Sequence, residues 1–301
     1  MRNGMDYLLS AVQHLTEGQQ PPADRDLKYA VLHLHAATEV LLKARLVRDH
    51  WSLVITDLRK MTEAKFHAGD FSSVTVEAAM DRLRDIVGLD IGQANRTAIK
   101  DLTGTRNALT HYGHTAPAYA VETQITRVLG FLLDFIPAHL YDPRSTSQFG
   151  TEYLTTMGAI RERLGRIDSL VKDRMGDVRA ALKGMERNTV LCPHCRQYAV
   201  AIPPEDQNVG EWGLAPEIEL HCRFCTARWP AAELADLYLR EHELVGYLTQ
   251  CPCSDSQTSL FHTNTVILGA STLAEPEASM SICFRCGARA YVSLPTGPCS
   301  L

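Results

Sequence analysis

The sequence predicts a mainly α protein that ends in a small cysteine-rich β region, and three observations carry that prediction. Apolar residues recur at helical spacing through the first 140 or so residues with no strand-like alternation. A further stretch, residues 146 to 189, keeps a 3-4 apolar spacing over about five heptads. All nine cysteines lie from Cys192 onward, three pairs of them as C-x2-C with strand-like runs between. With 301 residues and 45% hydrophobic content, the chain can fill two or three cores.

Residues 5 to 15 read as a short amphipathic helix that Gly18 to Pro22 interrupts. From Asp26, Tyr29, Val31, Leu32, Leu34, Ala37, Val40, Leu41, Leu42 and Leu46 leave few polar positions, so this helix is expected to be buried on most sides at the centre of a bundle. Its polar exceptions, His35, Glu39 and Lys43, are four residues apart and form one stripe. Two readings of the stripe stand side by side: a Glu39–Lys43 pair at an exposed edge, or groups beside an active site. Residues 52 to 68 and Val74 to Val87 read as further helices. Ala94 to Tyr112 places Ile99, Leu102, Leu109 and Tyr112 on one face, with a bend or a fresh start expected at Gly104-Thr105 and a stop at Gly113. Tyr119 to Tyr141 closes a bundle of four or five helices.

In residues 146 to 189, Met157, Ile160, Leu164, Ile167, Val171, Val178 and Met185 give the 3-4 spacing, with Arg174 and Ala181 as its weak positions. One helix of about 35 residues would be roughly 50 Å long. It is either a two-stranded coiled coil that pairs two copies, the reading the length favours, or a stalk lying on the bundle.

Charge is unevenly spread. Residues 1 to 145 hold 16 basic and 17 acidic side chains, residues 146 to 189 hold 8 and 6, and residues 190 to 301 hold 6 and 12. The acidic tail argues against a phosphate-backbone clamp there, and so against a DNA-binding regulator, because such clamps neutralise phosphates with Lys and Arg. The longest apolar clusters, such as Val128 to Ile136, stop well short of the roughly 18 residues a membrane span requires, and Met1 to Asp6 do not resemble a signal peptide. A soluble, cytoplasmic protein with no membrane partner is expected.

The most chemically suggestive stretch is Arg106-Asn107-Ala108-Leu109-Thr110-His111. On a helix Asn107 and His111 share a face, and Arg106 reaches it with its long side chain. Arginine presents a charged planar fork to phosphoryl oxygens, and histidine exchanges a proton near neutrality. Attack of an RNA 2′-OH on its own phosphodiester needs proton transfer at the attacking and leaving oxygens and stabilisation of extra charge on phosphorus. His111 can supply the first and Arg106 the second, with Asn107 orienting the phosphate or the imidazole and no metal required. A 2′-OH nucleophile would also discriminate against DNA.

The helix bearing A-A-T-E-V-L-L-K-A-R-L (Ala36 to Leu46), followed some sixty residues later by T-R-N-A-L-T-H (Thr105 to His111), resembles the HEPN superfamily over roughly residues 5 to 141. The resemblance implies a small helical bundle that pairs so that two R-x4-6-H motifs meet at a dimer interface, and a metal-independent endoribonuclease of a toxin or antiviral defence system with an antitoxin or trigger protein as partner. By position it implies Arg106 and His111 as the catalytic pair, Asn107 as the polar residue after the arginine and Glu39 as a polar residue on the earlier helix. One departure stands out: members silenced by nucleotidylation carry a tyrosine two residues after the histidine, where this chain has Gly113, with Tyr112 one place earlier.

In the tail, Cys192-Pro-His-Cys195 and Cys222-Arg-Phe-Cys225 flank the strand-like runs Tyr198 to Ile202 and Ile218 to His221, the spacing of a tetrahedral zinc ribbon. After a helix expected over Ala231 to Leu248, Cys251-Pro-Cys253 and Cys283-Phe-Arg-Cys286 bracket the run Thr263 to Leu268. The repeat is visible in C-R-F-C-T-A-R (Cys222 to Arg228) against C-F-R-C-G-A-R (Cys283 to Arg289). His262 or Cys299 are alternative ligands of this second site. Four thiolates leave no open coordination position, so two structural Zn2+ ions and no catalytic cofactor are expected. Trp212, Phe224, Arg228 and Trp229 are candidates for a recognition surface, with core packing the expectation for at least two of them.

The expected organisation is therefore a helical bundle over 1–145, a helical linker or coiled coil over 146–189, ribbon 1 over 190–230, a helix over 231–250 and ribbon 2 over 251–301. Two functions fit it. One is an RNA-cleaving homodimer whose tail recognises a protein, a trigger or an RNA shape. The other is a non-catalytic bundle serving as a dimerisation or ligand-binding scaffold, with the ribbons recognising protein or nucleic acid.

Overall fold

A computed structural model describes residues 1–18, 20–59, 61–111, 117–141, 148–202, 219–241, 266–277, 280–284 and 289–290. The chain is mainly helical and divides into two compact units, Met1–Arg174 and Met175–Leu301.

The first unit is built around α2 (Asp24–Asp49), which packs on α1 (Arg2–Thr16), α4 (Val76–Asp85), α5 (Gln93–His111) and α6 (Ala118–His139). Its sequence explains the central place: Leu27, Ala30, Val31, Leu34, Ala37, Leu41, Leu42 and Leu46 are all buried, so apolar surface faces nearly every direction. α1 approaches closely because Gly4 has no side chain. A Cβ there would lie 2.9 Å from Leu41 Cγ. α4 starts at a threonine cap, Thr75 Oγ1 accepting from the Ala78 amide at 3.2 Å.

Residues 52 to 68 differ from the expected single helix. They form a 3-10 turn (Trp51–Val54), an isolated antiparallel bridge from Ile55 to Ser73, and a five-residue helix α3 (Glu63–His67) capped by Thr62. Arg82 holds this irregular segment by donating to the Leu53 and Ile55 carbonyls at 2.8 and 2.9 Å. Trp51, Phe66 and Phe71 form a rim of tilted ring contacts around this segment.

The stretch from 146 to 189 is not one helix. α7 (Gln148–Leu164) and α8 (Asp168–Ala181) are separated by a turn in which Arg166 and Ile167 bond back to the Arg163 and Leu164 carbonyls. Gly165 interrupts the first helix and Asp168 opens the second. α7 packs on α1, with Tyr153, Met157, Ile160 and Leu164 buried and Arg2 pairing with Glu152 through two 2.7 Å hydrogen bonds. The start of α8 docks on α6 through Ser169–Glu122 and Arg174–Asp134. The 3-4 stripe thus meets its own chain, so the alternative of a stalk lying on the bundle holds for α7. The first unit runs past the expected boundary at 145 to Arg174 for the same reason.

Among the described residues the second unit contains three small antiparallel sheets. β1 (Thr189–Leu191) pairs with β2 (Tyr198–Ala201), β3 (Glu219–His221) with β4 (Arg228–Pro230), and β5 (Val266–Ala270) with β6 (Met280–Cys283), which also pairs with β7 (Arg289–Ala290). A bridge from Val200 to Cys222 links the first two hairpins. α9 (Ala231–Glu241) packs on β3, β4 and β5 and covers a core holding Leu220, Trp229, Leu234 and Phe284.

Candidate functional site

Two side-chain constellations carry chemistry. The first is the group of four sulfurs. Cys192 and Cys195 sit on the turn between β1 and β2, Cys222 and Cys225 on the turn between β3 and β4, and their Sγ atoms all lie within 4.8 Å of one another. Cys192–Cys225 and Cys195–Cys222 are 3.7 and 3.6 Å apart. A disulfide needs about 2.05 Å, whereas tetrahedral Zn–S bonds of about 2.3 Å put sulfurs about 3.8 Å apart. The spacing therefore fits four thiolates around one ion.

The two knuckles match residue by residue. The Arg196 amide donates to Cys192 O at 3.0 Å and the Thr226 amide to Cys222 O at 2.9 Å, while the Cys192 and Cys222 amides donate to Gln197 O and Ala227 O, both at 2.8 Å. Arg196 and Thr226 both take the left-handed conformation, with φ of 58° and 60°. That curls each turn so its two sulfurs point the same way. The Cys225 amide also donates to Cys222 Sγ at 3.4 Å. Burial, reinforced by the three neighbouring sulfurs, pushes the Cys222 thiol up, and the hydrogen bond with Cys192 does most to push Cys195 up. Four crowded thiols resist ionising together, and a divalent cation removes that obstacle.

Of the second expected cysteine set, Cys283 is buried on β6, while Cys251, Cys253 and Cys286, with the alternatives His262 and Cys299, lie outside the described residues. Phe224 and Trp229 are core residues, and His194 stacks on Trp229 with ring centroids 5.4 Å apart. Arg228 is exposed and pairs with Glu219 at 2.9 Å. Trp212 lies outside the described residues.

The second constellation joins the last turns of α5 to α2. α5 runs unbroken through Gly104, whose missing side chain faces open space. Thr105, where a bend or a fresh start was one expectation, is instead buried within the helix and donates through Oγ1 to Gln124 Oε1 of α6 at 2.6 Å. This fixes the rotation of α5 and with it the next residue, Arg106, whose Nη1 donates to Asn107 Oδ1 at 2.9 Å. Asn107 is exposed, and His111, the final residue of α5, is exposed five positions beyond Arg106. Five residues correspond to about 7.5 Å along the helix axis. Tyr112, Gly113 and His114 lie outside the described residues.

On α2 the polar stripe runs from the core to the surface. His35 is 7% exposed, while the Glu39 side chain is 37% exposed. Lys43 Nζ donates to Glu39 Oε1 at 2.5 Å and to Ser73 Oγ at 2.8 Å, so the expected i, i+4 pair forms. Burial first, then the Arg106 and Lys43 charges, hold His35 below the usual imidazole range against the opposing pull of Glu39. The charge of Arg106 is thus felt at the stripe, on a helix that packs against α2. Sequence reasoning placed His35 on the stripe but did not single it out. The signal was its position one turn before Glu39.

No protein-family model matches the chain, and neither a curated protein nor a solved structure matches it. Among the described residues, no helix is long and apolar enough to cross a membrane.

Proposed function

We propose that the protein is a metal-independent endoribonuclease of the HEPN type, of a toxin or antiviral defence system, whose cysteine-rich tail is held by structural zinc. The observation that carries the reading is the placement of Arg106. It is an arginine held by Asn107 on a helix pinned by Thr105, within electrostatic reach of the polar stripe on α2 and not paired with a carboxylate in any described contact. A guanidinium so placed keeps its charge for a phosphate.

In this reading Arg106 stabilises the charge that develops on the phosphorane oxygens, His111 moves the proton of the 2′-OH or of the leaving oxygen, and Asn107 orients the arginine. Glu39 holds Lys43 beside the site. Asn107 and His111 are exposed, which suits a composite site completed by a second copy, and RNA is the substrate. Cys192, Cys195, Cys222 and Cys225 would hold one Zn2+ in a ribbon and Cys251, Cys253, Cys283 and Cys286 a second. With all four positions filled by thiolate, each ion supplies a cross-link and no hydrolytic water.

The test is incubation of purified protein with RNA in EDTA, comparing wild type with Arg106→Ala and His111→Ala. Cleavage that ends in a 2′,3′-cyclic phosphate and is lost in both variants supports the proposal. RNA left intact by the wild type with and without candidate trigger proteins would favour a binding scaffold instead.

A further inference from the structure

α1 and α7 enclose a cavity of about 370 Å³ that the nuclease reading does not use. Small-molecule sites span roughly 300–1,000 Å³, so the space is large enough for a small ligand. Its floor is apolar: Met5 from α1 and Tyr153 from α7 line it, and each is 2% exposed. Tyr141 stacks on the Tyr153 ring with centroids 4.2 Å apart, which holds that ring in place. Three threonines of α7, Thr151, Thr155 and Thr156, bring hydroxyl oxygens to the wall. Thr155 Oγ1 donates its proton to the Thr151 carbonyl at 3.0 Å, so toward a ligand it can only accept.

Charge decides what fits. Nε and Nη2 of Arg2 each donate to Glu152 at 2.7 Å, a fork that ties α1 to α7 and cancels both charges. The remaining charged group of the lining is Asp6, one turn beyond Arg2 on α1. Among the described residues its carboxylate has no hydrogen bond or ion pair. The cavity therefore carries one uncompensated negative charge above an apolar floor.

We propose that this cavity binds a small primary alkylammonium ion, its ammonium on Asp6 and the threonine oxygens and its hydrocarbon body against Met5 and the Tyr153 ring. An ammonium group brings three donors and no acceptor, which matches a wall whose open groups accept. An anion would face Asp6, because Arg2 is already committed to Glu152. A neutral alcohol would leave the carboxylate uncompensated. The proposal stands apart from the nuclease reading and needs neither Arg106 nor zinc.

The test follows amide chemical shifts of the full-length protein as n-pentylamine hydrochloride is added at pH 7.5 and constant ionic strength. Pentanol and pentanoate, with the same hydrocarbon body, are the controls. The amine should give saturable shifts centred on residues 2–6 and 151–156 and raise the unfolding temperature, and neither control should do so. Asp6→Asn should weaken binding roughly tenfold, as expected for a hydrogen bond to a charged group. Thr155→Phe, which fills the opening, should abolish it. Asp6 and Thr155 are both exposed, so the two substitutions leave the core intact. Shifts that do not saturate, equal affinity for the amine and the alcohol, or an Asp6→Asn variant that binds like wild type overturns the proposal, whatever the protein does to RNA.

Discussion

Arg106 donates a hydrogen bond to Oδ1 of Asn107, the next residue in the chain, at 2.9 Å. Adjacent helical residues point about 100° apart, so the contact draws the guanidinium around the helix toward the face that Asn107 shares with His111. Asn107→Ala should release the arginine and lower kcat for RNA cleavage roughly tenfold, about the worth of one hydrogen bond to a charged group. Asn107→Asp keeps the contact but neutralises the charge and should be worse than alanine. Steady-state kinetics on both variants checks the order.

His35 also makes stability depend on pH. Its folded value lies below the unfolded imidazole value, so the unfolded chain binds more protons in the window below about pH 6.5. Its contribution is fully present above the unfolded value and is lost as pH falls through the folded one. His33, lowered by burial and by His14, and His139, lowered by burial and by Arg45, act in the same direction. Urea unfolding at pH 7.5 and pH 5.0 should show lower stability in acid, with a smaller drop for His35→Gln.

The cysteine cluster predicts one tightly held zinc from Cys192, Cys195, Cys222 and Cys225. Cys222→Ser should lower the zinc content measured by elemental analysis by one ion per chain and destabilise the second unit. Within the intact cluster Thr226 is a β-branched residue at φ 60°. Thr226→Gly should raise the stability of the metal-loaded protein by about 0.5–1 kcal/mol, the left-handed strain removed less the entropy glycine adds to the unfolded chain. The internal repeat carries glycine at the equivalent place, Gly287.

Ile160 of α7 is fully buried within its own chain. Ile160→Ala should cost about 2–5 kcal/mol, and the loss should be independent of protein concentration. A loss that grows on dilution would mean that the α7 stripe pairs two copies after all.

The central helix was legible because its burial is written in composition: a run with so few polar residues has nowhere to go but the middle of a bundle. The C-x2-C pairs were legible because metal geometry dictates local spacing. The misreadings share one cause. Apolar periodicity reports which side chains are buried and not what covers them, so tilted ring contacts among Trp51, Phe66 and Phe71 cover a segment read as a helix, and α7 packed on α1 was read as a possible coiled-coil seam. Gly104 suggested a break that did not occur, since α5, packed on α2 and α6, buries Leu102 and Thr105 on either side of it. The packing of α5 on α2 brings together residues some sixty positions apart, which no local pattern encodes.

The matched knuckles have one more consequence. Each hairpin closes on its own backbone hydrogen bonds, and an ion between them would fix the ends of the chain that connects Cys195 to Cys222. Closing a longer loop between fixed ends is cheap, about 0.6 kcal/mol for each doubling of its length. The four-sulfur frame would therefore depend only weakly on the length of the chain that joins the two knuckles.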